Sequence, residues 1–364
     1  MPGTLRVALD ATPLLGARTG IGTYVRELVG ALGALPDVAL TATAFSGRAH
    51  RPDDLPASVA FRAARVPARL LRVAWLRTDL PPVEALAGRH DVFHATNFVL
   101  PPGRGAGVLT VHDLTYVRYP ELVAPASRAY ATLVPRGLRR ARLVLTPSQA
   151  VAAEVVEEYR LDPERVRATP LGVASAWFDA APLMPVRRRE LGVGERYVVF
   201  VGTREPRKDL GTLLAAHAAH RAAGGDLQLV LVGAAGWGEE LAGRHGVRVL
   251  GHLPGADVRA LVAGARALAM PSRYEGFGLP VLEAQAAGTA VLCSDLPVLR
   301  EVGGSTATYL PVGDVEAWSA ALDGCGATAP DLDAARTART RAATFTWAAC
   351  ARLTLAAYRD ATAA

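Results

Sequence analysis

The stretch PSRYEGFGLPVLEA, residues 271–284, joins a short apolar run at 267–271 to a segment whose apolar residues have helical spacing. Gly276 and Gly278 allow an open loop of backbone N–H groups, and Pro280 is suited to the first position of a helix. A loop that runs directly into a helix amino terminus can hold an anion. The stretch therefore predicts a strand, a ligand-binding loop and a helix, the repeating unit of a parallel α/β sheet.

Two carboxylates occupy different parts of this unit. Glu275 lies in the loop, whereas Glu283 lies in the expected first turn of the helix. The two side chains can therefore contact different parts of one extended ligand.

The same alternation extends along the chain in both directions. Short apolar and β-branched runs predict strands at 5–9, 38–44, 91–94, 108–111 and 143–146, and again at 197–202, 227–233, 247–250, 267–271, 290–293 and 308–310. Helices are predicted at 21–33, 125–140, 148–159 and 347–361. This pattern is typical of two doubly wound α/β units.

The length of 364 residues also fits two domains. We place a first Rossmann-like domain at residues 1–180 and a second at 181–344, with a linker that holds Pro182 and Pro185. The last segment, 345–364, is expected to pack back on the first domain. Because ligands bind outside the carboxyl ends of parallel strands, we expect the two domains to face a central cleft.

A cationic turn follows the first predicted strand of the second domain. Its sequence is VGTREPRKD, residues 201–209, and it places Arg207 and Lys208 beside a helix amino terminus, where a diphosphate would lie. A departing anion needs such stabilisation most in the transition state. Lys208 is the only lysine of the chain, so a mechanism that needs an essential lysine must use it. The alternative is a solvated basic turn.

A third loop, GARTGIG at residues 16–22, follows the first predicted strand and opens a helix. Gly20 and Gly22 would let the backbone approach a phosphate; the alternative is a tight structural turn. The spacing also fits the phosphate loop of short-chain dehydrogenases, which use a tyrosine and a lysine four residues later. Arg204 stands four residues before Lys208, so that catalytic pair is absent.

These motifs together resemble one family. Glu275 and Glu283, with seven residues between them, are similar to the paired glutamates of retaining glycosyltransferases of the GT-B fold, especially the mannosyltransferase-like group 1 members of family 4. The resemblance covers nearly the whole chain. It is carried in order by GIG at 20–22, HATN at 94–97, TVHDL at 110–114, TPS at 146–148, PLGV at 170–173, the Arg207-Lys208 turn and the two glutamates.

The resemblance implies a role for each matching residue. Glu275 would bind hydroxyls of the transferred sugar, and Glu283 would bind the ribose. Arg207, Lys208 and the preceding Gly202 would bind the diphosphate, and Gly20 and Gly22 would approach it from the other domain. The backbone amides around Phe277, Gly278 and Leu279 would bind the sugar and the phosphate. His112 would lie beside the sugar. His112, Glu275, Arg207 and Lys208 are the expected catalytic residues.

Two positions depart from the family pattern. Thr203 stands where many members carry an arginine, and Asp209 stands where Asn or Gly is common. The division of phosphate contacts among Arg204, Arg207 and Lys208 therefore stays open.

The resemblance also implies that neither a metal nor another cofactor is needed. An Asp-x-Asp pattern does occur at residues 331–333, but it lies in an Ala- and Pro-rich region and we interpret it as chance. The three cysteines are widely spaced and have no nearby histidine cluster, so they indicate neither a disulfide framework nor a zinc site.

The resemblance implies transfer of a hexosyl group from a nucleotide diphosphate sugar to a hydroxyl of a glycan, a lipid-linked molecule or a small molecule. The Glu-Pro-Arg-Lys turn is similar to that of mannosyltransferase-like members and favours GDP-mannose, with a UDP-sugar as the alternative. A nucleotide-sugar epimerase and a non-catalytic nucleotide-sugar-binding protein are further alternatives. A pyridoxal phosphate-dependent phosphorylase would need Lys208 for its cofactor.

Composition limits the partners and the location. The chain is 51% hydrophobic and 20% charged, which is typical of a globular protein, and its net charge of +6 suits an anionic ligand, a membrane surface or nucleic acid. No nucleic-acid-binding motif is present, so we expect no nucleic-acid partner. With no signal peptide and no apolar run long enough for a bilayer, we expect a cytoplasmic protein.

One segment indicates a membrane surface. Between Phe61 and Arg77 five arginines and no acid alternate with apolar residues that include Trp75. Such a segment can lie on an anionic membrane, which would place the protein peripherally at its inner face. The alternative is a surface segment whose apolar side packs on the sheet.

Overall fold

The computed structural model describes residues 4–16, 19–236, 244–327 and 331–363. It divides into two compact units. The first comprises Met1–Pro120, Pro125–Gly172 and Thr346–Ala364, and the second comprises Glu121–Ala124 and Val173–Phe345. The chain thus leaves the first unit after Gly172, before residue 180 where we placed the boundary.

In the part of the chain that the structure describes, the sheet of the first unit has seven parallel strands. They are β1 (Leu5–Asp10), β2 (Val38–Phe45), β3 (Ala60–Ala64), β4 (Val92–Ala95), β5 (Ala106–Thr110), β6 (Ala141–Thr146) and β7 (Val166–Ala168). Their spatial order is β3-β2-β1-β4-β5-β6-β7, so the order reverses between β1 and β4. The sequence does not predict β3 and β7, because edge strands are partly solvated and lack a continuous apolar run.

Helices surround this sheet. The α-helices of the first unit are Gly20–Gly33, Ala68–Arg77, Glu84–Ala87, Thr115–Arg118, Tyr130–Arg140, Gln149–Tyr159 and Trp347–Ala363, and short 3-10 helices span Thr12–Leu14, Pro125–Ala129 and Pro163–Arg165. The helix predicted at 125–140 is thus 3-10 at first and α-helical only from Tyr130. A tighter first turn of this kind is common at helix amino termini.

The segment between Phe61 and Arg77 is not one continuous amphipathic stretch. It contains the end of β3 and the helix Ala68–Arg77, and Trp75 is only 4% exposed. The indole N–H of Trp75 donates to the Pro81 carbonyl at 3.0 Å. The aromatic ring of Trp75 therefore packs inward, as the alternative interpretation expected, and contact of this segment with a membrane stays a prediction.

A buried polar network attaches the last helix, Trp347–Ala363, to the first unit. Nδ1 of His94 lies 2.6 Å from the Tyr358 hydroxyl, and Nε2 of His94 lies 2.7 Å from the Thr110 hydroxyl. Tyr24 of the first helix reaches the same Thr110 hydroxyl at 3.2 Å. Burial lowers the pKa of His94 to about 3, so the ring is neutral at physiological pH.

The point where the chain returns to the first unit requires a glycine. A Cβ on Gly172 would lie 2.2 Å from the backbone nitrogen of Trp347 and 2.5 Å from the carbonyl carbon of Thr346. The backbone atoms of Thr346 and Trp347 cannot both shift to make room for this Cβ. This close approach explains why residue 172 of the PLGV motif is a glycine.

We therefore expect Gly172→Ala to destabilise the protein by about 1–3 kcal/mol, the usual cost of overpacking. Thermal unfolding should show a lower Tm. Gly30→Ala is the matched control, since Gly30 lies inside a helix with no described atom within 4 Å of an added Cβ and should gain stability slightly. An unchanged Tm for Gly172→Ala would contradict the packing described.

Among its described residues, the second unit has a sheet of six parallel strands. They are β8 (Tyr197–Val201), β9 (Gln228–Val232), β10 (Val247–Gly251), β11 (Ala267–Met270), β12 (Ala290–Ser294) and β13 (Thr308–Leu310). Their order is β10-β9-β8-β11-β12-β13, which reverses between β8 and β11. All six lie within about a residue of the predicted positions, because parallel strands buried on both faces read as apolar runs.

Helices also cover this second sheet. The α-helices are Pro185–Glu190, Leu210–Ala222, Gly255–Gly264, Leu279–Ala287, Pro297–Gly303, Val315–Ala327 and Leu332–Ala342, with 3-10 helices at Ser175–Trp177, Pro206–Lys208 and Gly304–Thr306. Trp318 is fully buried beneath the strands together with Leu213 and Leu322. Among the residues that the structure describes, no helix of either unit has the length and apolar character needed to cross a membrane.

Candidate active site

The reversal of strand order in the second unit brings two predicted motifs together. Residues 202–208 follow β8 and residues 271–278 follow β11, and these two strands are neighbours in the sheet. Ligands of doubly wound sheets bind outside the carboxyl ends of the strands at such a reversal. The backbone N–H of Arg273 also donates to the Arg207 carbonyl at 2.9 Å, which joins the two loops directly.

Glu275 is the centre of this site. Its Oε1 accepts from Lys208 Nζ at 2.5 Å and from the Ser272 hydroxyl at 2.6 Å, and its Oε2 accepts from Arg207 Nη1 at 2.9 Å. Arg207 also donates to the Tyr274 carbonyl at 2.9 Å and to Glu205 at 2.5 Å. The two cations and the glutamate predicted from separate motifs thus form one ion-pair cluster.

The cluster is nearly closed to solvent. Glu275 is 6% exposed and Lys208 is 8% exposed. Burial opposes ionisation of the carboxyl, but the adjacent Lys208 and Arg207 outweigh burial and lower the pKa of Glu275 to about 2. Glu275 is therefore a carboxylate at neutral pH, and it holds the two cations where an anionic ligand would meet them.

The backbone explains the departure at Asp209. Residues Pro206–Lys208 form a 3-10 turn, and Asp209 follows it with φ +46°, in the left-handed region that Asn, Asp and Gly adopt more readily than other residues. The Asp209 carboxylate accepts from the Thr212 hydroxyl at 2.9 Å and pairs with Arg273 at 3.2 Å. Aspartate therefore satisfies the same backbone requirement as the residues common in the family.

Gly202 lies at the base of the cationic turn against a second glycine. A Cβ on Gly233 would lie 2.0 Å from the Gly202 carbonyl oxygen, and Gly233 has φ +135°. The strand ends of β8 and β9 can approach this closely only because Gly233 has no side chain. Gly233 is a supporting residue that the sequence does not single out.

The glycine loop enters its helix one residue earlier than predicted. The helix begins at Leu279, so Pro280 is its second residue and Glu283 lies just beyond the first turn. Gly278 has φ +101°, and a Cβ there would lie 2.6 Å from Leu299 Cδ2.

The Phe277 ring is buried edge-on against Phe345, with ring centroids 6.1 Å apart. Only the backbone of Phe277 is therefore suited to a ligand.

Glu283 belongs to a separate group of side chains. It accepts a hydrogen bond from the Trp177 side chain, and Arg259 lies near enough to favour its charged form. Burial outweighs both effects and raises the pKa of Glu283 to about 7. Trp177 itself is only 8% exposed, although it lies a few residues before the predicted linker that holds Pro182 and Pro185.

In the first unit, His112 follows β5 and is 8% exposed. Its Nε2 lies 2.7 Å from the Thr96 carbonyl oxygen, which can only accept, so Nε2 carries the proton. Burial lowers the pKa of His112, which favours the neutral ring with a lone pair on Nδ1. Tyr24 and Phe98 pack edge-on against the imidazole at 5.1 and 5.6 Å and fix its orientation.

Gly20 and Gly22 begin the first helix of the first unit. Thr19 caps this helix by accepting from the Gly22 N–H at 3.5 Å. No described atom lies within 4 Å of a Cβ placed on Gly20, so the packing of the described residues does not require glycine there. Ala17 and Arg18 of the same loop lie outside the described residues.

The sequence alone does not indicate three polar partners in these groups. Ser272 and Glu205 lie within motifs that the sequence identifies, but their hydrogen bonds to Glu275 and Arg207 depend on side-chain geometry. Trp177 has no local signal, because it reaches Glu283 from a distant segment. Asp331, by contrast, caps the helix Leu332–Ala342 by accepting from two backbone N–H groups at 2.9 and 3.0 Å, so the Asp-x-Asp pattern has a structural role.

Comparisons with known proteins agree with this architecture. Residues 18–177 match the family model described as Glycosyltransferase Family 4, and residues 195–325 match the model described as Glycosyl transferases group 1. O-antigen chain mannosyltransferase B of Escherichia coli is 30% identical over 339 residues, which cover 87% of this chain and 89% of the relative.

Solved structures show the same fold. Sucrose-phosphate synthase from Thermosynechococcus elongatus superposes with a TM-score of 0.72 at 20% identity and covers 98% of both chains. Anabaena Alr3699/HepE in complex with UDP-glucose gives 0.69 at 18% identity over 96% of this chain and 98% of that chain. The predicted α/β fold with two Rossmann-like domains is thus confirmed as GT-B, and the chain belongs to the group 1 glycosyltransferases of family 4.

Proposed function

We propose that this glycosyltransferase moves a hexosyl group from a nucleotide diphosphate sugar to an acceptor hydroxyl with retention of configuration and without a metal. The observation that carries the proposal is the cluster of Glu275, Arg207 and Lys208 at the strand reversal of the second unit. It combines cations for a diphosphate with a carboxylate for sugar hydroxyls. Glu283, near Trp177, is proposed to bind the ribose.

In the proposed reaction the bond between the anomeric carbon and the phosphate oxygen breaks, and the electron pair stays on the diphosphate. Arg207, Lys208 and the helix amino terminus at Leu279 stabilise this charge. The acceptor oxygen bonds to the same face of the anomeric carbon, and its proton passes to the departing phosphate oxygen. No protein base is required, and His112 would orient the sugar by accepting a hydrogen bond from a sugar hydroxyl at Nδ1.

Arg204 is a further candidate for the diphosphate. Arg207 and Lys208 are already paired with carboxylates, whereas the Nε of Arg204 is buried without a hydrogen-bond partner in the described part of the chain. A buried donor of this kind is costly unless a ligand or water satisfies it. We therefore assign Arg204 to the phosphates together with Arg207 and Lys208.

Mannose from GDP-mannose is the donor that we propose. The support is the name of the Escherichia coli relative, a mannosyltransferase that matches most of this chain at 30% identity. A UDP-sugar is the second candidate, because a structural neighbour binds UDP-glucose, although that neighbour is only 18% identical.

A thermal-shift screen with GDP, UDP, ADP and their sugar conjugates, without added metal, tests the donor assignment. We expect selective stabilisation by GDP and GDP-mannose. Stabilisation by UDP compounds alone would mean that the donor is a UDP-sugar and not GDP-mannose. If no nucleotide stabilises the protein, the proposal is overturned. NMR of the product then tests the stereochemistry, since inversion at the anomeric carbon would exclude the mechanism above.

Glu283→Gln should separate stability from donor binding. A carboxyl whose pKa is raised to about 7 from an ordinary 4.5 costs stability as the pH rises through that interval, because the folded state resists ionisation. The variant should therefore have a higher Tm than the wild type at pH 8 and little difference at pH 4. At pH 8 it should also have a higher KM for the donor, because an acceptor for the ribose hydroxyls is lost. A lower Tm at pH 8 would contradict the burial effect.

We also propose that the first unit contacts an anionic membrane through the helix Ala68–Arg77. Leu70 and Val73 are 56% and 48% exposed on its outer side, and Arg69 and Arg77 are exposed beside them. The double variant Leu70→Ser/Val73→Ser should sediment less with anionic liposomes at low salt than the wild type. Leu353→Ser, which alters an exposed leucine on the last helix, is the control; absence of wild-type sedimentation would exclude this contact.

A further inference from the structure

A large cavity lies at the amino-terminal end of the first unit's sheet. Its volume is about 940 Å³, within the usual range for small-molecule sites. Its lining includes Leu5 at the start of β1, Ala106 at the start of β5 and Ala361 of the last helix. His112 follows the opposite end of β5, so this strand separates it from the cavity by roughly 15 Å. The cavity is therefore not part of the site proposed for transfer.

Arginines give this cavity a positive charge. The charged side chains that line it are Arg6, Glu84, Arg89, Asp91, Arg104 and Arg142. Asp91 is matched by Arg6, whose Nε donates to Oδ2 of Asp91 at 3.1 Å. Within the described residues, neither acid of the cavity forms an ion pair with Arg89 or Arg104, and both of these arginines are exposed. The cavity therefore offers cationic groups to an anionic ligand.

The cavity is also lined by two side chains with buried, unsatisfied acceptors. Nδ1 of His90 lies 2.8 Å from the Gly88 carbonyl oxygen, which can only accept, so Nδ1 carries the proton and Nε2 of the neutral ring has a lone pair. Nε2 of His90 and Oε2 of Glu84 are buried and have no hydrogen-bond partner among the described residues. Buried acceptors in this state are satisfied by donors from a ligand or from water.

Packing and hydrogen bonds fix the position of both acceptors. The imidazole of His90 packs against Phe93 with ring centroids 5.6 Å apart, and a Cβ on Gly105 would lie 3.2 Å from His90 Cδ2. Oε1 of Glu84 accepts from the backbone N–H groups of Arg104 and Gly105 at 2.5 and 3.1 Å. His90 Nε2 lies 3.9 Å from Glu84 Oε1, which is too far for a hydrogen bond but places the two side chains side by side.

The two features of the lining suit different parts of one ligand. Guanidinium groups bind phosphate through strong, often bidentate hydrogen bonds. The adjacent acceptors of Glu84 and His90 need hydroxyl donors, which a fully ionised phosphate lacks. A hydrocarbon chain would leave both acceptors unsatisfied, and an uncharged sugar would not use the arginines. A ligand with both a phosphate and several hydroxyls matches the whole lining.

We propose that this cavity is a second binding site, for a phosphorylated polyhydroxy compound. Its phosphate would bind Arg89, Arg104 and Arg142, and its hydroxyls would donate to Glu84 and His90. The proposal goes beyond the proposed function and does not depend on it, because no residue of the donor site takes part. Two sources carry this chemistry, a free sugar phosphate and the ribose phosphate of a nucleotide.

Isothermal titration of the full chain with mannose 6-phosphate and with ribose 5-phosphate tests the proposal and distinguishes the two sources. We expect at least one of them to bind, and its affinity to fall at least tenfold in Arg89→Ala/Arg104→Ala. The same loss is expected in Thr362→Trp, which fills the cavity from an exposed position of the last helix. Arg128→Ala/Arg139→Ala is the matched control, because it removes two exposed arginines of the same unit outside the cavity and should bind as the wild type does.

The outcomes separate this site from the donor site. Mannose and inorganic phosphate should each bind at least tenfold more weakly than the sugar phosphate, and equal binding by either would overturn the assigned ligand class. Absence of binding by both sugar phosphates, or equal binding by the wild type and both cavity variants, would overturn the site. Binding that is lost in Lys208→Met and kept in the cavity variants would assign the sugar phosphate to the donor site and also overturn the proposal.

A second measurement locates the hydroxyl groups. In protein labelled with ¹⁵N-histidine, the Nε2 signal of His90, assigned with His90→Gln, should shift when the sugar phosphate binds, because Nε2 gains a donor. Inorganic phosphate should leave this signal unchanged. A His90 signal that does not respond to a bound sugar phosphate would overturn the placement of the hydroxyls.

Discussion

Replacing Lys208 with methionine should lower kcat/KM for transfer by about 100- to 1,000-fold, the range seen when one fixed charge-stabilising group is removed from an active site. The reason is that Lys208 Nζ is nearly buried beside the site proposed for the diphosphate, so its charge acts in a medium that screens it poorly. The fold should survive, because Glu275 keeps its hydrogen bonds to Arg207 and Ser272. Lys208→Arg should keep little of the wild-type transfer activity, since a planar guanidinium does not reproduce the position of an ammonium group.

The composition allows a direct measurement of this residue. Because Lys208 is the only lysine, protein labelled with ¹³C-lysine gives signals from a single side chain. Addition of GDP should shift its Cε signal, as the ammonium group exchanges Glu275 for phosphate. Transfer at a wild-type rate by Lys208→Met, or a lysine signal that does not respond to a bound nucleotide, would remove Lys208 from the donor site.

The sequence predicts the two sheets because their strands are parallel and most of them are buried on both faces. Val198, Val199 and Phe200 of β8 are each 1% exposed or less, and such a run has few interpretations other than a central strand. β3 escapes prediction because it is an edge strand with alternating exposure and an arginine at its centre. Without β3, the residues between Phe61 and Arg77 have the pattern of one amphipathic segment.

Side-chain partners are harder to predict than strands because they depend on strand order. Lys208 and Glu275 are 67 residues apart, and they meet only because β8 and β11 are neighbours in the sheet. Their motifs identify each residue separately, but not the ion pair between them. His94 and Tyr358 are 264 residues apart, and no local pattern indicates that the last helix contributes a hydrogen bond to the buried histidine of β4.

Glu275→Gln should reduce transfer by about 100-fold or more and, at the same time, strengthen binding of GDP by about tenfold. In the structure the Glu275 carboxylate pairs with Lys208 and Arg207, so under the proposed function it would compete with a diphosphate for the same two cations. Glutamine keeps the shape of the side chain but not its charge. The cations are then available to the nucleotide, while the charged acceptor for the sugar hydroxyls is lost. Isothermal titration with GDP and a transfer assay measure the two effects separately.

The same variant has a pH signature that a simple folding defect would not have. A carboxylate whose pKa falls from 4.5 to about 2 stabilises the protein above pH 4.5, and this contribution is lost as the pH falls toward 2. Glu275→Gln should therefore lower the Tm at pH 7, and the difference from wild type should shrink in acid. GDP should raise the Tm of the variant at pH 7 by more than it raises that of the wild type. Glu205→Gln is the matched control, because Glu205 pairs with Arg207 but leaves Lys208 and Glu275 joined. Weaker GDP binding by Glu275→Gln than by wild type would show that Glu275 supports the diphosphate site and does not compete with it.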